Sequence, residues 1–129
     1  MTDWLRLQDK SGKPDQLSSL HLAWIGDAVW EMHNRLKYIN SPAKSKDLHI
    51  STVKDVNASA QSQILKKLEP FLTLEEKVII KRARNTNKRV PRNSDPATYS
   101  MATSFESLVG WLFLKNPQRL ADLFDLLEN

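Results

Sequence analysis

Cysteine is absent from this 129-residue chain, which excludes disulfides and thiolate-held metals. The histidines, His21, His33 and His49, are too scattered to supply the close ligand pair of a zinc enzyme, so zinc is not expected. No apolar run approaches the length that spans a bilayer. The opening Met1-Thr2-Asp3-Trp4-Leu5-Arg6 lacks the basic-then-apolar order of a signal peptide, which makes a cytoplasmic location the expectation. There is no Gly-rich phosphate loop and no Ser-His-Asp spacing. Strand-type alternation, internal repeats and low-complexity tracts are missing as well. The length suits one hydrophobic core and not two.

What is present is helix punctuation. Residues 1–16 are polar, contain Gly12 and Pro14, and read as a flexible N-terminal arm; residues 17–129 read as one domain. A long helix is expected from about Ser18 to Tyr38, stopped before Asn40-Ser41-Pro42. Ser45 is a candidate cap for a short helix to about Lys54. Asn57 is another, for a helix with Ala60, Ile64, Leu65 and Leu68 along its inner face and Pro70 just beyond it. Thr73-Leu74-Glu75-Glu76 has the spacing of a capping box, opening a helix through Val78, Ile79 and Ala83. Asp95-Pro96 pairs an N-cap with proline at the first helical position, followed by Met101, Phe105, Leu108, Val109 and Leu112 on one face. Asn116-Pro117 repeats the device before Leu120, Leu123, Phe124 and Leu127. The expected fold is all-α, a single domain of about six helices.

The most apolar stretch, Leu20 to Trp30, contains one carboxylate, Asp27. Apolarity on nearly all sides predicts a central helix packed on more than one face. An ionised Asp there would need a cation or hydrogen-bond donors to replace its lost hydration. Gly26 beside it permits close approach of a second helix. Glu106, with Thr103 and Gly110 on the same helical face, is the second acidic candidate. Should their helices pack together, the two carboxylates would converge on one divalent cation, and oxygen-only ligands suit Mg²⁺. The alternative is plain: Asp27, Glu31, Asn34 and Arg35 also form one helical stripe, which a solvated face would show equally well.

Charge gives a second signal. The net charge is only +4, yet the segment Lys81 to Asn93 holds six basic residues, Lys81, Arg82, Arg84, Lys88, Arg89 and Arg92, and no acid. Interleaved Asn and Thr, with Pro91, suit an exposed loop leaving a helix. Such a loop can contact phosphates along a groove without reading bases. A solvated basic turn would have the same composition.

Three segments in order, Leu22-Ala23-Trp24-Ile25-Gly26-Asp27-Ala28-Val29-Trp30-Glu31, Arg84-Asn85 through Pro91-Arg92-Asn93-Ser94-Asp95, and Tyr99 through Leu112 with Phe105-Glu106-Ser107-Leu108, resemble the Mini-III ribonuclease family, short relatives of ribonuclease III. The resemblance runs from about Gln16 to Leu127. It implies an all-helical endoribonuclease domain that acts as a homodimer on double-stranded RNA with Mg²⁺. The substrate it implies is precursor 23S ribosomal RNA, cut near its ends to leave a 5′-phosphate and a 3′-hydroxyl. The family's catalytic and metal-binding acids fall on Asp27 and Glu106, and its aromatic dimer plug on Trp24. Full ribonuclease III carries further acids where this chain has Leu20, Ala23 and Thr103, a thinning Mini-III members share, so the number of metal ions per site stays open. Participation of a ribosomal protein stays open too. A separate double-stranded-RNA-binding domain is not expected, which leaves binding to the dimer surface and to loops such as 81–93.

The rival from another class is a non-catalytic, ribosome-associated module that binds double-stranded RNA with the same fold. The pairing of Asp27 and Glu106 argues against it, since a pure binder gains nothing from two anions facing phosphate. A third reading, a helical dimerisation partner with no RNA role, predicts that replacing Lys88, Arg89 and Arg92 with Ala changes no affinity for duplex RNA.

Overall fold

Each helix starts where a polar side chain can accept from its free backbone N–H groups. Ser18 accepts from the His21 N–H, Asn57 from Ala60 at 2.9 Å, Asp95 from Thr98 at 3.1 Å and Asn116 from Arg119 at 3.1 Å. Thr73 and Glu76 form a complete capping box, with reciprocal bonds of 3.1 and 2.9 Å. Pro96 and Pro117 occupy first-turn positions, where a missing N–H breaks no helical bond. The resulting helices are α1 (Ser19–Tyr38), α2 (Ala58–Leu68), α3 (Leu74–Arg84), α4 (Pro96–Lys115) and α5 (Pro117–Leu127), with 3-10 turns at Pro14–Gln16 and Glu69–Phe71. This computed structural model describes residues 2, 4–6, 13–40, 42, 47 and 57–128, and no strand occurs among them. The short helix expected over 45–54 falls outside the described residues, apart from Asp47. The fold is all-α, as expected.

The middle of the molecule is α4. The other four helices all pack against it. From Ala102 to Leu112 every residue is buried except Glu106. Phe105, Leu108, Val109 and Leu112 meet Leu22 and Trp30 of α1, Leu65 and Leu68 of α2, Ile79 and Ile80 of α3, and Leu123 and Phe124 of α5 in one core. The Trp30 ring takes Phe105 and Phe124 edge-on, at centroid distances of 5.1 and 5.2 Å, the geometry that ring quadrupoles favour.

The sequence points to the Asp27 segment as the central helix, and this requires correction. Its apolar residues divide between two faces. Leu22, Ala23, Gly26 and Trp30 turn inward, whereas Leu20, Trp24, Met32 and Leu36, at spacings of four or eight residues, stand exposed on the outer side. Trp24 is 75% exposed. An inner face plus an outer apolar row gives the same composition as burial all round, which is why the two cannot be told apart from sequence. Asp27, on the border between the faces, is exposed.

Two polar ties hold the outer layers. The Glu76 carboxylate, only 2% exposed, accepts from Arg119 Nε at 2.8 Å and Nη2 at 3.0 Å, joining α3 to α5. Asp15, in the segment read as an arm, accepts from Trp111 Nε1 at 2.7 Å and from Lys115 Nζ at 3.0 Å. These two donors hold the Asp15 carboxyl below its usual range. The turn at Pro14–Gln16 is thereby fastened to the C-terminal end of α4.

Candidate active site

A pair of glycines sets the geometry. Where α1 crosses α4, a Cβ on Gly26 would overlap the carbonyl oxygen of Glu106, and one on Gly110 would overlap that of Leu22. The two backbones therefore touch, which only residues without side chains permit. Asp27 directly follows Gly26. Glu106 lies one turn before Gly110 on α4, so the crossing brings both carboxyls to its edge. Asp27 stands on the exposed rim; Glu106 is partly buried beneath it.

The electrostatics record this closeness. Burial, and then the hydrogen bond and charge of Asp27, push the Glu106 carboxyl up to about 8. Gln61 opposes that shift by a hydrogen bond to Glu106 from α2. Three helices thus meet at one point. The need to compensate a desolvated acid, which the sequence places on Asp27, rests on Glu106.

Gln61 is not among the candidates read from the sequence, although a signal for it exists. It precedes Leu65 by four residues and Leu68 by seven, on the inner row of α2, where a polar side chain requires a partner. It is 2% exposed. The expected neighbours Ala60 and Ile64 lie at the border instead, half-buried.

The other stripe residue beside Asp27 and the remaining candidates are distributed as follows. Glu31, one turn beyond Asp27, is bonded to Arg35 at 2.7 Å on the same helix. Trp24 lies on the outer row of α1, away from the buried face. Of the basic segment, Lys81, Arg84, Arg89 and Arg92 are exposed. Arg82 donates to the carbonyls of Asp15 at 3.0 Å and Leu17 at 2.7 Å, and to Ser19 Oγ at 3.4 Å. Lys88 Nζ donates to the carbonyls of Ala83 at 2.9 Å and Thr86 at 3.1 Å, closing the C-terminal end of α3. Partial burial lowers its pKa. These two cations are occupied by the protein's own backbone.

Two carboxyls held this close cannot both ionise easily unless a cation lies between them. The donors are all oxygens, which fits a hard divalent ion such as Mg²⁺. Among the described residues no third His, Cys, Asp or Glu joins the pair to make a larger ligand group.

Comparison with known proteins identifies the family. Residues 20–117 match the ribonuclease III domain. The chain belongs to the ribonuclease III family. Within it, the chain is 45% identical over 118 residues to the Mini-ribonuclease 3 of Gloeobacter violaceus, covering 89% of this chain and 87% of that protein. The Mini-ribonuclease 3 of Clostridium tetani is 38% identical over 121 residues, with 88% and 78% covered. A crystal structure of a Fusobacterium nucleatum protein superposes with a TM-score of 0.82 at 35% identity, covering 90% of this chain and 98% of that one. This ribonuclease III domain is of the Mini-III kind and is an endoribonuclease. No helix among its described residues is long and apolar enough to cross a membrane.

Proposed function

We propose that the protein is a Mg²⁺-dependent, homodimeric endonuclease of double-stranded RNA, cytoplasmic, that matures the ends of precursor 23S ribosomal RNA and leaves a 5′-phosphate and a 3′-hydroxyl. The observation that carries this reading is the meeting of Asp27 and Glu106 at the Gly26–Gly110 crossing. The ribosomal RNA and the end chemistry rest on the family resemblance; the compartment is carried over from the expectation read in the sequence.

Asp27 and Glu106 are the residues that would hold the ion. A bound Mg²⁺ supplies polarisation of the scissile phosphate and a lowered pKa for the attacking water. Asp27, on the exposed rim, is the carboxylate that substrate meets first. Glu106, set deeper in α4, is fixed by the packing of its neighbours. Because only two protein carboxylates would hold the ion, water and RNA oxygens would be needed as its remaining ligands. Lys81, Arg84, Arg89 and Arg92, all exposed, would neutralise phosphates along the duplex, whose shape rather than sequence is read. Arg82 and Lys88 act one step back, by holding the segment that carries the others. The outer row of α1, which carries Trp24, is the surface assigned to the second subunit, since so large an exposed ring favours being covered.

The deciding assay is cleavage of a base-paired ribosomal RNA end with and without Mg²⁺. The wild type should cut only with the ion. Asp27→Asn should lose cutting while binding RNA at least as well, because a repulsive charge is gone. Cutting by Asp27→Asn at the wild-type rate would remove Asp27 from the mechanism. Mg²⁺-independent binding without any cleavage would favour the non-catalytic module. For the dimer, Trp24→Ala should move the sedimentation profile toward monomer; an unmoved profile would place the interface elsewhere.

A further inference from the structure

Gln61 occupies an unusual place. It lies in the first turn of α2, four residues before Leu65, and it is almost wholly buried at 2% exposure. Leu65 and Leu68 already supply the apolar contact between α2 and the core. The other buried polar residue of that turn, Ser62, has its own contact with Met101 Sδ at 3.5 Å. An apolar side chain at 61 would pack in the same space without the desolvation that burying an amide entails. The hydrogen bond to Glu106 offsets that cost, at a place where α2 packs directly on α4.

A glutamate's terminal torsion is soft, with a broad two-fold profile. A hydrogen bond to one face of the carboxylate restricts that rotation and leaves the remaining lone pairs for other partners. Asp27 is also within hydrogen-bonding reach of the same carboxyl. The Glu106 head is thus held between a donor from α2 and an acid from α1.

We infer that Gln61 is a positioning residue of the catalytic pair: its buried side-chain amide, delivered by α2, fixes the Glu106 carboxylate in the orientation that shares a divalent cation with Asp27. The inference rests on the proposal that these two acids hold the ion. It adds a third helix to the site and makes the docking of α2 on α4 a determinant of metal affinity. Partners that orient a ligand in this way are worth roughly 10- to 100-fold in metal affinity or activity.

The test uses the full chain, freed of metal, with Mn²⁺ as the probe and electron paramagnetic resonance to count the free ion, in the absence of RNA. Gln61→Met preserves length and volume and removes the hydrogen bond. It should bind Mn²⁺ roughly 10- to 100-fold more weakly than the wild type, while binding duplex RNA normally without metal. Gln61→Asn, which keeps an amide but withdraws it by one methylene, should show the same loss, and it serves if the Met variant fails to fold. A lower melting temperature with unchanged Mn²⁺ affinity would make Gln61 a mere structural link and overturn the inference alone. Should the wild type hold no Mn²⁺ that Asp27→Asn releases, the metal reading itself would fall and take this inference with it.

Discussion

Gly26 and Gly110 face each other across the contact of α1 with α4: a Cβ on the first would lie 2.9 Å from the amide nitrogen of the second, and one on the second 3.0 Å from that of the first. The pair acts as a hinge pin without a side chain, and the carboxyls of Asp27 and Glu106 are set by it. Gly110→Ala must separate the helices to admit one methyl group. Overpacking of this kind costs about 1–3 kcal/mol, and more where backbone is the obstacle. The expected outcome in urea denaturation is a loss at or above that range. Cleavage should fall further than the folded fraction does, because the two acids move apart. Activity that merely tracks the folded fraction would show that the crossing does not set the site.

The raised pKa of Glu106 predicts a pH dependence of stability with a definite sign. In the folded, metal-free protein its proton is held up to about 8, whereas the unfolded chain releases it near 4.5. Between those values the folded state binds more protons, so this group's contribution to stability falls as pH rises. His33, whose burial depresses its pKa, works in the opposite direction. Comparing Glu106→Gln with the wild type isolates the effect. The variant's advantage in melting temperature should be larger at pH 8 than at pH 6, and saturating Mg²⁺ should erase it by favouring the ionised acid. An advantage independent of pH would refute the assignment.

The basic segment should separate into two kinds of residue. Arg89→Ala and Arg92→Ala should weaken duplex RNA binding and flatten its salt dependence by about 1 unit of slope for each phosphate no longer neutralised, with little change in stability. Arg82→Ala removes donors to two carbonyls and a hydroxyl, and should instead lower stability by about 1–3 kcal/mol. Titrations in several salt concentrations, set beside urea curves, will distinguish the two. Equal behaviour of all three variants would mean that the observed hydrogen bonds of Arg82 do not persist in solution.

Glu76 offers a test of the scaffold away from the site. Desolvation alone would raise its pKa, yet the bonds from Arg119 and Thr73 leave it lowered overall. Its stabilising contribution is therefore present at neutral pH and is lost as pH falls through the folded-state value. Arg119→Ala leaves that carboxylate buried without its cation, a change that typically costs about 3–5 kcal/mol. Arg119→Ala combined with Glu76→Gln should recover part of the loss. Failure of the double variant to recover any would show that Arg119 acts chiefly through its 2.8 Å bond to the Phe71 carbonyl.

Much of this architecture is legible in the chain. Ser18, Asn57, Thr73, Asp95 and Asn116 cap the helices that their positions predict, because capping is local chemistry that needs only a side chain and the next turn. The inner rows of α4 and α5 also follow their periodicity. Which helix is central is not legible, because Trp24, Met32 and Leu36 are as apolar as Leu22 and Trp30, and only tertiary structure assigns them to opposite faces. The roles of Arg82 and Lys88 are hidden for a related reason: a cation that caps carbonyls and one that meets phosphate are the same residue type. Gln61 and Asp15 act through partners 45 and 96 residues away, and no spacing rule reaches that far.

The solid packing of α4 has a consequence for how this protein can change. Between Ala102 and Leu112 only Glu106 is more than marginally exposed, so nearly every replacement there disturbs the interior before it can alter what the surface recognises. Changes in what the surface recognises are therefore expected at exposed positions such as those of the turn after α3. The reaction is thereby anchored in a stretch that tolerates little drift, and variation is left to the exposed positions around it.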